Sequence, residues 1–231
     1  MEDIVSYIDP YYQYSQNTLY NYLIGSYTKI LYQKFFESIP DNSIILDVGV
    51  GNGNSLIANK DLIIKKNLNI VGIDINNYAI NMATESVIEN DLSDYIQLKC
   101  MNVFDYETDL NLNYVYFSNS FSVIPNILVM IKHLNDKFLK KNNGEIVIST
   151  TVEAKDHNIK SFLKKNANYM LLGIELGTLT TFKDLLNNIS KNNLYVNKTE
   201  LVYNTWYPMW GEINIYTFNI KSKNEDNFIT Q

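Results

Sequence analysis

Apolar residues along this chain fall into two kinds of run. The first kind is short, nearly continuous and rich in Ile and Val: "SIILDVG" (43–49), "LNIVGIDI" (68–75), "YIQLKCMNV" (95–103), "NYVYFS" (113–118) and "EIVIST" (145–150). Runs of this length and continuity are how strands buried on both faces read. The second kind is longer, with apolar positions recurring at three and four: "YTKILYQKFFES" (27–38), "NSLIANKDLIIKK" (54–66), "NYAINMATESVIEN" (77–90) and "NILVMIKHLNDKFLK" (126–140). Each of these reads as one helix. Strand and helix alternate through residue 150, the pattern of a doubly wound α/β sheet with helices on both faces. Beyond it, 158–173 and 181–193 read as helices, and "LYVNKTELVY" (194–203) and "EINIYTFNIK" (212–221) as strands. The alternation in the last of these predicts a half-buried antiparallel pair. The expectation is a sheet of about seven strands, mostly parallel, with a C-terminal antiparallel strand.

The organisation divides into an N-terminal helical and aromatic cap segment (1–39), an α/β domain (40–221) and a polar tail (222–231). Pro40 and Asp41-Asn42 punctuate the first boundary. No internal repeat and no Pro/Gly/Ser linker interrupts the domain.

One segment carries chemistry. Asp47-Val48-Gly49-Val50-Gly51-Asn52-Gly53 follows the first strand and precedes the first helix of the sheet. Glycines allow a sharp turn and let a ligand lie against bare backbone, and the free N–H groups of a helix start favour electron-rich groups. Two acids frame the loop: Asp47 two residues before its first glycine, and Asp74 at the end of the second strand, where a carboxylate can accept ribose hydroxyls. The glycines run G-x-G-x-G and then Asn54. A nicotinamide or flavin fingerprint needs G-x-G-x-x-G/A, and Asn54 is too large for the last position. No G-x-x-x-x-G-K-[ST], C-x-x-C or H-E-x-x-H motif occurs, so no metal site is expected.

These segments resemble the class I S-adenosylmethionine-dependent methyltransferases. "ILDVGVGNG" resembles their motif I, "VGIDIN" motif II, "CMNVFDY" the adenine-contacting segment, and "NYVYFSNSFSVIPN" with "FLKKNNGEIVIST" the fourth and fifth strands. The resemblance covers residues 40–150 well and the rest loosely. It implies a Rossmann-like fold, S-adenosyl-L-methionine as cofactor and methyl transfer as the reaction. Residue by residue, it implies that Asp47 serves the methionine end, often through water to its ammonium group, with Gly49, Gly51 and Gly53 letting that end approach. Asp74 would hold the ribose and Ile75 pack on the adenine. Asn102 would meet the adenine amino group with Val103 beside it, and the Ser118 carbonyl would face the methionine amine. Asn113 stands near where many relatives carry Asp at the start of the fourth strand.

Charge and composition narrow the partners. The chain has 231 residues, 19 basic and 25 acidic, for a formal charge of −6. Its basic pairs are scattered, whereas proteins that grip phosphates show a basic stripe, so nucleic acid is not the expected partner. The single cysteine, Cys100, fits a reducing compartment and reads as a small core residue. No signal-peptide pattern occurs, and no apolar run reaches the roughly 18 residues that span a bilayer; a cytoplasmic protein is expected.

The acceptor is expected to be a small molecule. Enzymes that methylate exocyclic amines of bases or glutamine side chains typically carry [DN]-P-P-[YF] after the fourth strand, where this chain has Ser118-Asn119-Ser120-Phe121. Tyr11, Tyr12, Tyr14 and Tyr20, and the cluster Trp206, Tyr207 and Trp210, are candidates for the acceptor pocket, with core or lid packing as the plainer role. His157 and Glu153, after the fifth strand, are the candidates for a general base. His133 lies on an amphipathic helix and reads as structural or exposed. An RNA or protein acceptor, and a non-catalytic member of the fold acting as a partner subunit, remain the alternatives.

Overall fold

The computed structural model describes residues 25–121, 124, 126–139, 144–153, 180–181, 187, 189–191, 194–207 and 211–222. The five continuous apolar runs form strands β1 (Ile44–Val48), β2 (Asn69–Asp74), β3 (Ile96–Cys100), β4 (Tyr114–Ser118) and β5 (Glu145–Glu153). The chain continues with β6 (Thr180–Thr181), β7 (Leu194–Tyr207) and β8 (Gly211–Ser222). The sheet order is β3-β2-β1-β4-β5-β8-β7, with β6 paired to the end of β5. Strands β1 to β5 run parallel, and β8 is antiparallel to both β5 and β7. The expected architecture is observed, with the two-residue β6 in addition.

The continuous runs arise because the sheet separates two cores, and successive residues of one strand enter different ones. Ile45, Ile70, Tyr116 and Val147 lie in one cluster; Leu46, Val48, Val71, Ile73, Val115, Phe117, Ile146 and Ile148 lie in the other. Helix α1 (Gly25–Ser38) covers the first side with Tyr32, Phe35 and Phe36, spaced at three and four. Its C-terminal carbonyls are met by Lys66, whose Nζ donates to Phe36 O at 2.8 Å and also to Ile39 O; a cation there also suits the helix dipole. Its first turn is anchored by Tyr27, stacked on Tyr203 of β7 at 5.7 Å.

Two local expectations are corrected. The run 54–66 forms two short helices, α2 (Asn54–Ile57) and α3 (Lys60–Lys65), in place of one. Asn59 at the break is buried, and its Nδ2 donates to Ser55 O (2.9 Å) and to Lys29 O of α1 (3.2 Å), so the kink ties this layer to α1. Cys100 is exposed, not core. It ends β3, the outermost strand on that side, where burial falls off along the strand; α4 (Asn77–Glu89) precedes this strand. The helix expected over 126–140 is α5 (Ile127–Leu134), which passes into a π turn at Asn135–Leu139.

Candidate cofactor site

The strand order reverses between β1 and β4, and in such sheets ligands bind at the carboxyl ends of the strands beside that point. The glycine loop leaves β1 there. Gly49, Gly51 and Gly53 have φ of 77°, 59° and 71°, all in the left-handed region that side chains rarely adopt. Each glycine does a different job. A Cβ on Gly49 would overlap Ser120 after β4, whose Oγ donates to Val48 O, so this glycine lets two loops close on each other. A Cβ on Gly53 would lie 3.0 Å from Ala83 of α4, so this one seats α2 against its neighbour. A Cβ on Gly51 would meet nothing within 4 Å among the described residues. Packing requires glycine at 49 and 53; at 51 the bare backbone has no described neighbour.

The two acids stand in different surroundings. Asp74 is partly exposed and already organised: Oδ2 accepts the Gly51 N–H (2.9 Å) and Oδ1 accepts the Asn76 N–H (2.9 Å). Each oxygen keeps a lone pair for a further donor. Met101 N–H donates to Asp74 O at 2.9 Å, which draws the end of β3 to the same place. Asp47 is the only buried carboxylate among the described residues, 1% exposed. The Tyr32 hydroxyl donates to its Oδ2 at 2.7 Å, and among the described residues its Oδ1 has no partner. Burial pushes the carboxyl up from its ordinary 3.8 to about 7; the Tyr32 hydrogen bond works against this rise and the Asp74 charge adds to it.

Ile75, Asn102, Val103 and Ser118 lie around the same strand ends. Ile75 follows Asp74 and is 76% exposed, an apolar side chain left open beside an acid. Asn102 follows β3, and its Oδ1 accepts the Phe104 N–H at 3.1 Å, capping a 3-10 turn at Val103–Asp105; its amide N–H groups are not used in that cap. Val103 is buried. Ser118 ends β4 and is buried. Asn113 does the plain job of pinning β1 to β4, its Oδ1 accepting the Ile44 N–H at 2.7 Å. The His133 ring lies 5.5 Å from Phe104, and burial lowers its pKa.

Tyr11, Tyr12, Tyr14, Tyr20, His157 and Trp210 lie outside the described residues, as do the side chains of Glu153, Trp206 and Tyr207. The sequence reading missed Tyr32. The available signal was a hydroxyl on the apolar face of a helix, which needs a polar partner once buried.

The methyltransferase domain family model matches residues 21–196, most of the chain. The chain belongs to that family. Ribosomal protein L11 methyltransferase of Alkaliphilus oremlandii (strain OhILAs) is 24% identical over 169 residues, 73% of this chain, and the match spans 43% of that relative's length. Mitomycin 7-O-methyltransferase MmcR is similar in fold, with a TM-score of 0.66 at 12% identity over 89% of this chain and 57% of its own. So is geranyl diphosphate C-methyltransferase from Streptomyces coelicolor A3(2), with a TM-score of 0.64 at 11% identity over 85% of this chain and 77% of its own. The latter was solved with Mg2+, geranyl diphosphate and S-adenosyl-L-homocysteine. At these identities the structural likeness is one of fold. Among the described residues, no helix is long and apolar enough to cross a membrane.

Proposed function

We propose that this chain binds S-adenosyl-L-methionine in the glycine loop and transfers its methyl group to a small-molecule acceptor by in-line displacement. The observation that carries the reading is Gly51: a left-handed glycine whose added Cβ would have no neighbour within 4 Å among the described residues, held by the carboxylate of Asp74. Donors and acceptors around it suit the cofactor. The free lone pairs of Asp74 are acceptors for two ribose hydroxyls, and exposed Ile75 is a platform for the adenine face. With Asn102 Oδ1 engaged in the 3-10 turn, its amide N–H groups suit a ring nitrogen, while Val103 flanks the ring. Asp47 and the Ser118 carbonyl are acceptors for the ammonium of the methionine end. When bound, the cofactor supplies a methyl group already activated by its sulfonium. The protein's part is then to align the acceptor and exclude water. Glu153 and His157 remain the candidates for taking a proton from an acceptor that carries one, and the Tyr and Trp residues named above for holding it.

Asp74→Ala is expected to weaken binding by about 1–3 kcal/mol, the scale of hydrogen bonds to a charged group. Titration calorimetry with S-adenosylhomocysteine checks this, and equal affinity in both proteins would remove the ribose assignment. The acceptor class is tested with methyl-labelled cofactor and a cell extract separated by size. Label in the small-molecule fraction supports the reading. Label in acid-precipitable material overturns it in favour of a macromolecular acceptor, the direction in which the L11 methyltransferase relative points.

A further inference from the structure

Asp47 is enclosed, and its two oxygens are treated unequally. Oδ2 accepts from Tyr32 at 2.7 Å; Oδ1 has no partner among the described residues. An enclosed carboxylate is costly unless donors surround it. Tyr32 is held for its role on both sides. Its ring meets Tyr116 edge-on (centroids 5.3 Å, interplanar angle 72°) and Phe36 at 5.8 Å. Helix α1 beneath it is tied to the Asn59 kink and to Lys66. Tyr116, the register partner of Asp47 on β4, places its own hydroxyl near Ser149 Oγ (3.3 Å). Among the described residues, the groups facing Asp47 are therefore Tyr32 from α1, Tyr116 from β4 and Asp74 from β2, and the one charge among these, Asp74, opposes its ionisation.

We propose that Tyr32 is a positioning residue for cofactor recognition: by holding Oδ2 of Asp47 it keeps the carboxylate in one orientation and leaves Oδ1 as the acceptor for the ammonium group of the methionine end. This rests on the function proposed above. The hydroxyl acts twice. It fixes the geometry of the acid, and by donating to the carboxylate it favours the charged form, which alone attracts an ammonium. Helix α1, outside the glycine loop, thereby becomes part of the cofactor site.

The test compares wild type with Tyr32→Phe, which removes one oxygen and keeps the ring packing. Two ligands are titrated: S-adenosylhomocysteine, and 5′-methylthioadenosine, which keeps the adenosine and thioether but has no amino-acid end. The expected result is a loss of about tenfold or more in S-adenosylhomocysteine affinity near pH 7, with 5′-methylthioadenosine affinity unchanged. Followed from about pH 6 to 8.5, the midpoint of S-adenosylhomocysteine affinity moves to higher pH in the variant, because the proton on Asp47 is held more tightly. Carbon NMR of the Asp47 carboxyl, without ligand, reports the same upward movement. Equal losses for both ligands, superimposable pH curves or an unmoved carboxyl titration overturn the proposal and leave Tyr32 as packing. Wild type that binds 5′-methylthioadenosine but not S-adenosylhomocysteine overturns it through Asp47. Wild type that binds neither refutes the proposed function itself.

Discussion

Gly51→Val is expected to fold and to lose cofactor binding altogether. Its φ of 59° makes the substitution strained, at about 1–2 kcal/mol for a side chain in the left-handed region. No clash adds to this, since among the described residues a Cβ there has no neighbour within 4 Å. For a domain of this size that is a fall of roughly 2–8 °C in melting temperature. The valine methyls project into the space assigned to the cofactor, so the thermal shift on adding S-adenosylhomocysteine should vanish while the circular dichroism stays native. Gly49→Ala is the contrasting variant. Its methyl overlaps Ser120, so the damage should appear as lower stability before any ligand is added. If Gly51→Val still shows the full ligand-induced shift, the loop does not hold the ligand.

What was legible in the sequence was what burial on two faces writes into it. β1, β2, β4 and β5 run between two cores, so they read as continuous apolar runs and their order gave the sheet. Motif I was legible because three left-handed positions in five residues leave little but glycine to choose from. The misreadings come from places where one residue's surroundings, and not the periodicity, decide. The apolar pattern runs unbroken from 54 to 66, yet Asn59 ends α2 by donating its amide to carbonyls of two helices. Cys100 sits in an apolar run, but β3 is the sheet's outer strand there, a fact of topology and not of composition. The Tyr32 and Asp47 pair joins residues on a helix and a strand, and no local pattern records that α1 crosses the sheet at that height.

Asp47→Asn should reverse sign with pH. Asp47 holds its proton to about pH 7 in the folded chain, against 3.8 ordinarily. Between those values the folded protein binds more protons than the unfolded one, so this group makes stability fall as pH rises through the window and leaves it low above it. An acid held at about 7 costs the folded state roughly 4 kcal/mol once it is ionised. Asparagine cannot ionise, so the variant loses that slope. It leaves a buried amide N–H group short of an acceptor, at about 1–3 kcal/mol. Well below pH 3.8, where Asp47 is neutral in both states, only this cost is felt and the variant is the less stable protein. Above pH 7 the avoided ionisation outweighs it, and the variant is the more stable by about 1–3 kcal/mol. Urea denaturation at several pH values should therefore give two curves that cross. In the same variant, S-adenosylhomocysteine should bind far more weakly above pH 7, where wild-type Asp47 is ionised, and the gap should narrow as pH falls and Asp47 takes up its proton. The opposite signs of these two effects separate a residue kept for its ligand from one kept for the fold. Parallel stability curves would show that Asp47 is ionised in the ligand-free chain from the ordinary carboxylate range upward, and that the burial of its carboxyl is offset by donors beyond Tyr32.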